Sequence, residues 1–237
     1  MSDKPDYSGE FHRLMAGNVT EVIPALDKGE SWILEKITNA AKRYGISENK
    51  ICDALRECAV LRFYFAKDPQ KQKMHEKTAA GFICDINGVE DFVCGSARGK
   101  NAIYIAGGKI MSSKELRDLR STNKQSTHSK SVDFIWRFNG RRFYAYHKFT
   151  ELTGGAQGNQ GNDAKTFLRE CVRTEEPKCV FIALCDGAFY QGIDGIMGKT
   201  KMEGLRDIAA NAKYKNVFAM TTSELPMFLI GYNADNS

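Results

Sequence analysis

Residues 131–149 decide the fold, and they read SVDFIWRFNGRRFYAYHKF. Two runs rich in aromatic residues flank Asn139-Gly140, the dipeptide that most strongly favours a two-residue β-hairpin turn. Such a turn pairs Phe138 with Arg141, and the pairing continues outward until Asp133 lies opposite Tyr146. The segment therefore predicts an antiparallel hairpin whose register is set by its turn.

Side chains alternate between the two faces of this predicted hairpin. The first face is mostly apolar and is expected to pack on the core; it carries Phe134, Trp136, Phe138, Arg141, Phe143, Ala145 and His147. The second is expected to be a polar face; it carries Asp133, Ile135, Arg137, Arg142, Tyr144, Tyr146 and Lys148. Opposed residues on a sheet are about 5 Å apart and diagonal ones roughly 7–8 Å. We therefore expect Asp133 and Lys148 to share one polar patch, either as a functional site or as an ordinary surface ion pair.

Helical and strand-like patterns alternate on both sides of the hairpin, which predicts an α/β fold with a mixed central sheet flanked by helices. Helices are predicted over residues 31–44, 47–65, 68–80, 113–119, 198–214 and 223–230, and from Asn162 or Asp163 to Arg173. Buried strands are predicted over residues 102–105, 178–185 and 217–220. We expect a helical N-terminal part over residues 1–60 and the sheet-containing core over residues 61–237.

The overall composition is that of a cytoplasmic globular protein. The 237 residues carry a formal net charge of +5, which is compatible with a DNA partner without requiring one. Seven cysteines occur without a CxxC pair, so zinc-ligand spacing is absent and reduced, packed thiols are expected. Residues 1–10 are polar and no apolar run approaches the roughly 18–20 residues of a membrane span, so neither export nor membrane insertion is expected.

The predicted polar patch has groups that suit phosphodiester hydrolysis. That reaction needs carboxylates that hold a divalent cation, an activated water, and a positive group that stabilises the charge developing on the phosphate. Asp133 supplies an acid and Lys148 an ammonium. The position between them on the second strand, where another acid would complete the set, is Tyr146.

Three blocks of the chain, in this order, resemble the PD-(D/E)XK nucleases, and among them the type II restriction endonucleases. The blocks span about residues 60–195, and they are FAKDPQKQKMHEK at 65–77, KSVDFI at 130–135 with Lys148-Phe149 and TGGAQGNQ at 153–160, and FIALCDGAFY at 181–190. The resemblance implies a restriction-endonuclease-like fold. It also implies hydrolysis of double-stranded DNA with Mg²⁺ by a homodimer in a prokaryotic cytoplasm.

Carried over by position, the resemblance makes Asp133 the metal-binding aspartate, Lys148 the catalytic lysine and Glu76 a helix-borne acid that binds the metal or orients the site. Tyr146 departs from the pattern, which has Glu or Asp there, and a phenol with an ordinary pKa of about 10 is a poor Mg²⁺ ligand. Either another acid, Glu76 or Glu151, supplies the second ligand, or the chain is catalytically damaged, or the strand is misaligned by one residue. The hairpin turn argues against the last alternative.

Several polar residues are candidates for DNA contact. Gln157, Asn159 and Gln160 can hydrogen-bond base edges, and Lys124 and Lys130 can contact the phosphate backbone. A helix-capping loop and a solvated surface loop are the simpler interpretations of these two segments.

Two rival functions remain open at this stage. One is a catalytically inactive DNA-binding protein of the same fold, which Tyr146 favours. The other is a different PD-(D/E)XK nuclease, such as a repair enzyme. His147 is expected to be a packed core histidine rather than a general base.

Overall fold

The computed structural model describes residues 3–69, 73–95, 102–122, 130–151, 157–193 and 198–232, and for residues 157–160 the backbone alone. The chain divides into two compact units, one formed by Asp6–Thr78 and the other by Met1–Pro5 with Ala79–Ser237. The boundary falls within the sixth helix. Residue 60, where the sequence analysis places the end of the helical part, lies inside the first unit.

The N-terminal unit is helical. Its helices are α1 (Tyr7–Thr20), α2 (Val22–Asp27), α3 (Ser31–Tyr44), α4 (Glu48–Glu57), α5 (Ala59–Phe65) and the beginning of α6 (Met74–Cys84). The predicted helix over residues 31–44 is confirmed, and Gly45 ends it with a left-handed backbone at φ 65°.

The predicted single helix over residues 47–65 is wrong, because it is broken at Cys58, where the backbone is extended. The carbonyls of Leu55 and Arg56 at the end of α4 accept hydrogen bonds from the Arg62 guanidinium, at 2.9 Å each. This side chain satisfies the carbonyl groups that a helix end leaves without an intrahelical partner.

The C-terminal unit is mixed α/β. Its further elements are β1 (Glu90–Cys94), β2 (Ile103–Ala106), β3 (Lys109–Ser112), α7 (Ser113–Thr122), β4 (Lys130–Ser131), β5 (Phe134–Phe138), β6 (Arg141–Phe149), α8 (Gln157–Val172), β7 (Cys179–Asp186), α9 (Ala188–Gln191), α10 (Lys201–Ala209), β8 (Val217–Met220), a 3-10 turn (Thr222–Glu224) and α11 (Leu225–Gly231). Among the described residues, no helix combines the length and the apolar character needed to cross a bilayer.

The predicted hairpin is confirmed in the structure, with its register. Phe138 pairs with Arg141, Trp136 with Phe143, and the pairing runs to Phe134 opposite Ala145. Five strands form one sheet in the order β1-β5-β6-β7-β8, in which β1, β5 and β6 are antiparallel neighbours and β6, β7 and β8 run parallel. The prediction of a mixed sheet flanked by helices is therefore confirmed. A second sheet has the order β3-β2-β4.

The expectation that the second face of the hairpin is polar and open is wrong. Tyr144 and Tyr146 are buried, and Tyr146 stacks on Phe167 of α8 with ring centroids 5.5 Å apart. The reason is that β6 is an interior strand, flanked by β5 and by the parallel strand β7, and that α8 packs on this face of it. The first face is buried as predicted, with Trp136 stacked on Phe143 at 5.2 Å.

Helix α8 begins at Gln157, earlier than the predicted start at Asn162 or Asp163. Glycine is a poor helix former, and for this reason the glycine-rich segment predicts a loop. At Gly161, however, an added Cβ would lie 3.3 Å from the Phe189 ring, so the glycine allows α8 to pack closely on α9. Tertiary packing here outweighs intrinsic propensity.

Candidate active site at the carboxyl edge of the sheet

The ends of the central strands bring several polar residues to one edge of the five-stranded sheet. Lys148 lies near the end of β6, and Asp186 ends the parallel strand β7. Because β5 runs antiparallel to β6, Asp133, which precedes β5, lies at the same edge. Ligands of open α/β sheets bind outside the carboxyl ends of the parallel strands, so this edge is the expected place for a functional site.

Asp133 is held in place by the backbone of the neighbouring strands. Its Oδ2 accepts a hydrogen bond from the His147 backbone N–H at 2.8 Å, and its own N–H donates to the Ala145 carbonyl at 2.8 Å. On its other side its carbonyl accepts from the Gly95 N–H at 2.6 Å. A Cβ at Gly95 would lie 2.0 Å from the Val132 carbonyl oxygen, so only glycine fits there. The carboxylate thus lies against the residue that precedes Lys148.

Tyr146 occupies the position where the resemblance leads one to expect an acid. Burial raises the pKa of its phenol above the ordinary value, and the neighbouring Tyr190, Asp163 and Asp133 raise it further. The phenol is therefore neutral and does not offer the anionic oxygen that a hard cation prefers. Tyr146 acts as a packed side chain between β6 and α8.

Asp163 is the acid that the sequence analysis missed. It lies on α8, four residues before Phe167, on the helix face that meets Tyr146. Its charge and that of Asp133 both act on the Tyr146 hydroxyl. Asp163 Oδ1 is 2.7 Å from Lys130 Nζ, and its side chain remains 37% exposed. Asp133 of the hairpin and Asp163 of α8 thus both contribute to the raised pKa of the neutral Tyr146 phenol.

The sequence pattern around Asp163 predicts a residue at the beginning of a helix, whereas the structure places it inside the helix. An aspartate next to the first periodic apolar residues of a segment is typical of a helix N-cap. With α8 beginning at Gln157, Asp163 lies well inside the helix instead. Its helical spacing from Phe167 would have placed it on the sheet side.

Lys148 is half-buried near the carboxyl end of β6, two residues after Tyr146, and it pairs in register with Cys185 of β7. Alternation along the strand places it on the same sheet face as Tyr146, the face that α8 covers. Its ammonium is thus on the side of the sheet from which Asp163 approaches.

Asp186 forms a buried polar network beside this site. Its carboxylate accepts hydrogen bonds from the Thr222 N–H at 2.8 Å and the Thr222 hydroxyl at 2.6 Å. His147 Nε2 lies 3.2 Å from Asp186 Oδ2, and the His147 side chain is 1% exposed. The network ties the ends of β6 and β7 to the turn after β8. His147 is a packed histidine, as the sequence indicates.

The remaining candidate residues lie in different places. Glu76 lies on α6 in the N-terminal unit, where its carboxylate is 3.7 Å from Lys73 Nζ. Glu151 is exposed directly after β6, and Lys130 is on β4. Gln157, Asn159 and Gln160 lie in the first turn of α8, where the structure describes the backbone alone, and Lys124 lies outside the described residues.

The resemblance implies a Mg²⁺ ion, which does not need a cage made only of protein ligands. No group of three or more His, Cys, Asp or Glu side chains is placed to hold a metal within the described residues. Mg²⁺ usually keeps several waters and binds through one or two carboxylates together with substrate phosphates.

The chain matches no protein-family model, and searches of curated proteins and of solved structures give no match.

Proposed function

We propose that this protein is a Mg²⁺-dependent, site-specific endonuclease that hydrolyses double-stranded DNA in the manner of the type II restriction enzymes. The observation that supports this most is the position of the two acids. Asp133 and Lys148 lie at the same edge of the five-stranded sheet, and Asp163 lies on α8, which packs on Tyr146 through Phe167. An acid pair with a nearby ammonium is what hydrolysis of a phosphodiester requires.

Asp133 and Asp163 would hold the metal ion. Asp133 is oriented by the His147 N–H, which donates to its Oδ2. Asp163 is oriented by Lys130, and its partial exposure leaves it accessible to a ligand. When bound, Mg²⁺ lowers the pKa of a coordinated water and neutralises charge on the phosphate.

Lys148 stabilises the negative charge that develops on the phosphate oxygens. Pairing of β6 with β7 fixes the backbone that carries this ammonium, which limits the reorganisation needed during the reaction. The buried Asp186 network stabilises the strand ends that carry Asp133 and Lys148.

The proposed partner is duplex DNA, and the proposed assembly is a homodimer, since a two-fold symmetric protein suits a symmetric DNA site. The formal net charge of +5 is compatible with this partner. Lys130, Gln157, Asn159 and Gln160 are the proposed DNA contacts, and a prokaryotic cytoplasm is the proposed location.

The direct test is digestion of phage DNA by the purified protein with Mg²⁺ and with EDTA. We expect discrete fragments that require the metal. A smear would instead favour a nuclease without site specificity, such as a repair enzyme. Absence of any Mg²⁺-dependent cleavage of a sequence-diverse DNA would contradict the proposal.

A second candidate is a DNA-binding protein of the same fold without catalytic activity. The neutral, buried phenol of Tyr146 favours it, because this position contributes no acid. Metal-independent binding of duplex DNA, together with no cleavage at any Mg²⁺ concentration, would support this candidate over the nuclease.

Asp163→Asn is expected to lower the rate of Mg²⁺-dependent cleavage by about a hundredfold or more, because the variant keeps the side-chain shape and removes one anionic metal ligand. The rate is measured on supercoiled plasmid over a range of Mg²⁺ concentrations. A rightward shift of the Mg²⁺ dependence would separate weaker metal binding from damage to the fold.

Glu151→Gln is the matched control for this prediction, because Glu151 is an exposed acid close to Lys148 in sequence. We expect its cleavage rate to equal that of the original protein. The reverse outcome, with Glu151→Gln inactive and Asp163→Asn active, would assign the second ligand to Glu151.

A further inference from the structure

A cleft in the C-terminal unit lies between the beginning of α8, α9 and the beginning of α10. It encloses about 290 Å³, and its lining includes Asn162, Lys165, Phe189, Tyr190 and Lys201. No carboxylate belongs to the lining that the structure describes, whereas two ammonium groups do. Concave surfaces that carry charge of one sign concentrate the field and attract counter-ions.

Lys201 is held at the cleft by packing, and Lys165 is part of the lining. Lys201 Nζ lies 4.3 Å from the centroid of the Phe189 ring, a cation–π contact that holds the ammonium over an apolar floor. Lys165 is one helical turn beyond Gly161, which itself packs on the same ring. The two positive groups therefore approach one space from two different helices.

Tyr190 is part of the lining of the cleft, and it belongs to the same buried core cluster as Tyr146. The Tyr190 ring lines the cleft, and the Tyr190 hydroxyl is near enough to Tyr146 to raise the pKa of that phenol. Asn162 of the lining is next in sequence to Asp163. The cleft is therefore lined by the same part of α8 that carries the candidate acid Asp163.

We propose that this cleft binds a backbone phosphate of the DNA strand. The inference rests on the proposed function for its partner, and it adds a positioning site formed by Lys165 and Lys201. Phosphate contacts by lysine fix the register of a protein on DNA without reading its sequence.

The volume of the cleft favours a phosphate over a larger ligand. Small-molecule sites usually enclose about 300–1,000 Å³, and this cleft lies at the lower limit of that range. The space holds a phosphate and part of its sugar, with Asn162 available as a further hydrogen-bond donor. A whole nucleotide with its base would need more room.

The test measures binding of duplex DNA in EDTA, by fluorescence anisotropy, between about 50 and 200 mM salt. The variant is Lys165→Gln/Lys201→Gln, which removes both charges and keeps part of each aliphatic stem. We expect weaker binding and a shallower slope of log K against log salt. The slope falls by about 0.9, because the cleft neutralises one phosphate.

Two control proteins accompany this variant. Lys165→Arg/Lys201→Arg keeps both charges and is expected to retain the slope. Lys178→Gln/Lys213→Gln removes two exposed lysines outside the cleft, of which Lys213 also lies over an aromatic ring, at 5.1 Å from Tyr214. We expect the slope of log K against log salt for this control to stay within about 0.3 of the original protein's slope. That difference is less than the effect of a single neutralised phosphate. Thermal unfolding confirms that each variant is folded.

The outcomes separate the cleft from the proposed function. An unchanged slope in Lys165→Gln/Lys201→Gln, with normal cleavage by the original protein, overturns the phosphate site alone. A lowered slope in a protein that never cleaves DNA supports the phosphate site and overturns the nuclease. A protein that neither binds nor cleaves duplex DNA overturns both.

Discussion

Lys148→Ala is expected to lower the rate of Mg²⁺-dependent DNA cleavage by about a hundred- to a thousandfold. This is the usual effect of removing one preorganised group that stabilises charge developing in a transition state. The backbone of Lys148 is fixed near the end of β6 by register pairing with Cys185, and alternation places its side chain on the sheet face that α8 covers. The rate is measured by single-turnover cleavage of a fragment that contains one site.

The free energy of unfolding separates a loss of catalysis from a loss of the folded structure. Since Lys148 is half-buried at a strand end, its truncation is expected to change the free energy of unfolding by less than about 1.5 kcal/mol. Lys178→Ala, which removes an exposed lysine before β7, is the matched control and is expected to cleave normally. Unimpaired cutting by Lys148→Ala would move the active site away from this edge of the sheet.

The hairpin shows how much of the fold local sequence determines. Asn139-Gly140 sets the turn, the turn sets the register, and alternation then assigns each side chain to a face, as the observed pairs confirm. What covers each face depends on other parts of the chain. Because β6 pairs in parallel with β7, it lies inside the sheet, and the hairpin face predicted to be polar is covered by α8.

The candidate site likewise contains residues that local sequence brings together and one residue that only long-range packing places. Asp133 and Lys148 come from one hairpin, and local geometry is sufficient to bring both to one edge of the sheet. Asp163 reaches Tyr146 only because α8 packs across the sheet, and that packing depends on Gly161 and Phe189, which have no periodic signal. Residues that meet through long-range packing are the ones that a single sequence does not disclose.

Asp186 is another such residue, because its partners come from separate parts of the chain. In sequence it is an acid after an apolar strand, followed by Gly187, and nothing nearby indicates a buried position. In the structure it is 6% exposed and accepts two hydrogen bonds from Thr222, with His147 Nε2 as a third neighbour. A buried carboxylate is stable only with such partners.

Asp186→Ala is therefore expected to lower the free energy of unfolding by about 3–5 kcal/mol, measured by urea denaturation. The alanine removes the acceptor and leaves the Thr222 hydroxyl, the Thr222 N–H and the His147 ring buried without it. Unsatisfied buried donors cost about 1–3 kcal/mol each, so the combined loss exceeds that of an ordinary cavity.

Two further variants test whether hydrogen bonding causes this loss. Asp186→Asn keeps one carbonyl acceptor and the side-chain volume, so it is expected to lose less than Asp186→Ala. Asp207→Ala removes an exposed acid that lies 2.7 Å from Lys199 Nζ, and surface pairs of this kind contribute about 0–1 kcal/mol. Equal losses for Asp186→Ala and Asp207→Ala would contradict the network. A destabilised Asp186→Ala that still cleaves DNA below its unfolding temperature would show that Asp186 supports the strand ends without taking part in the reaction.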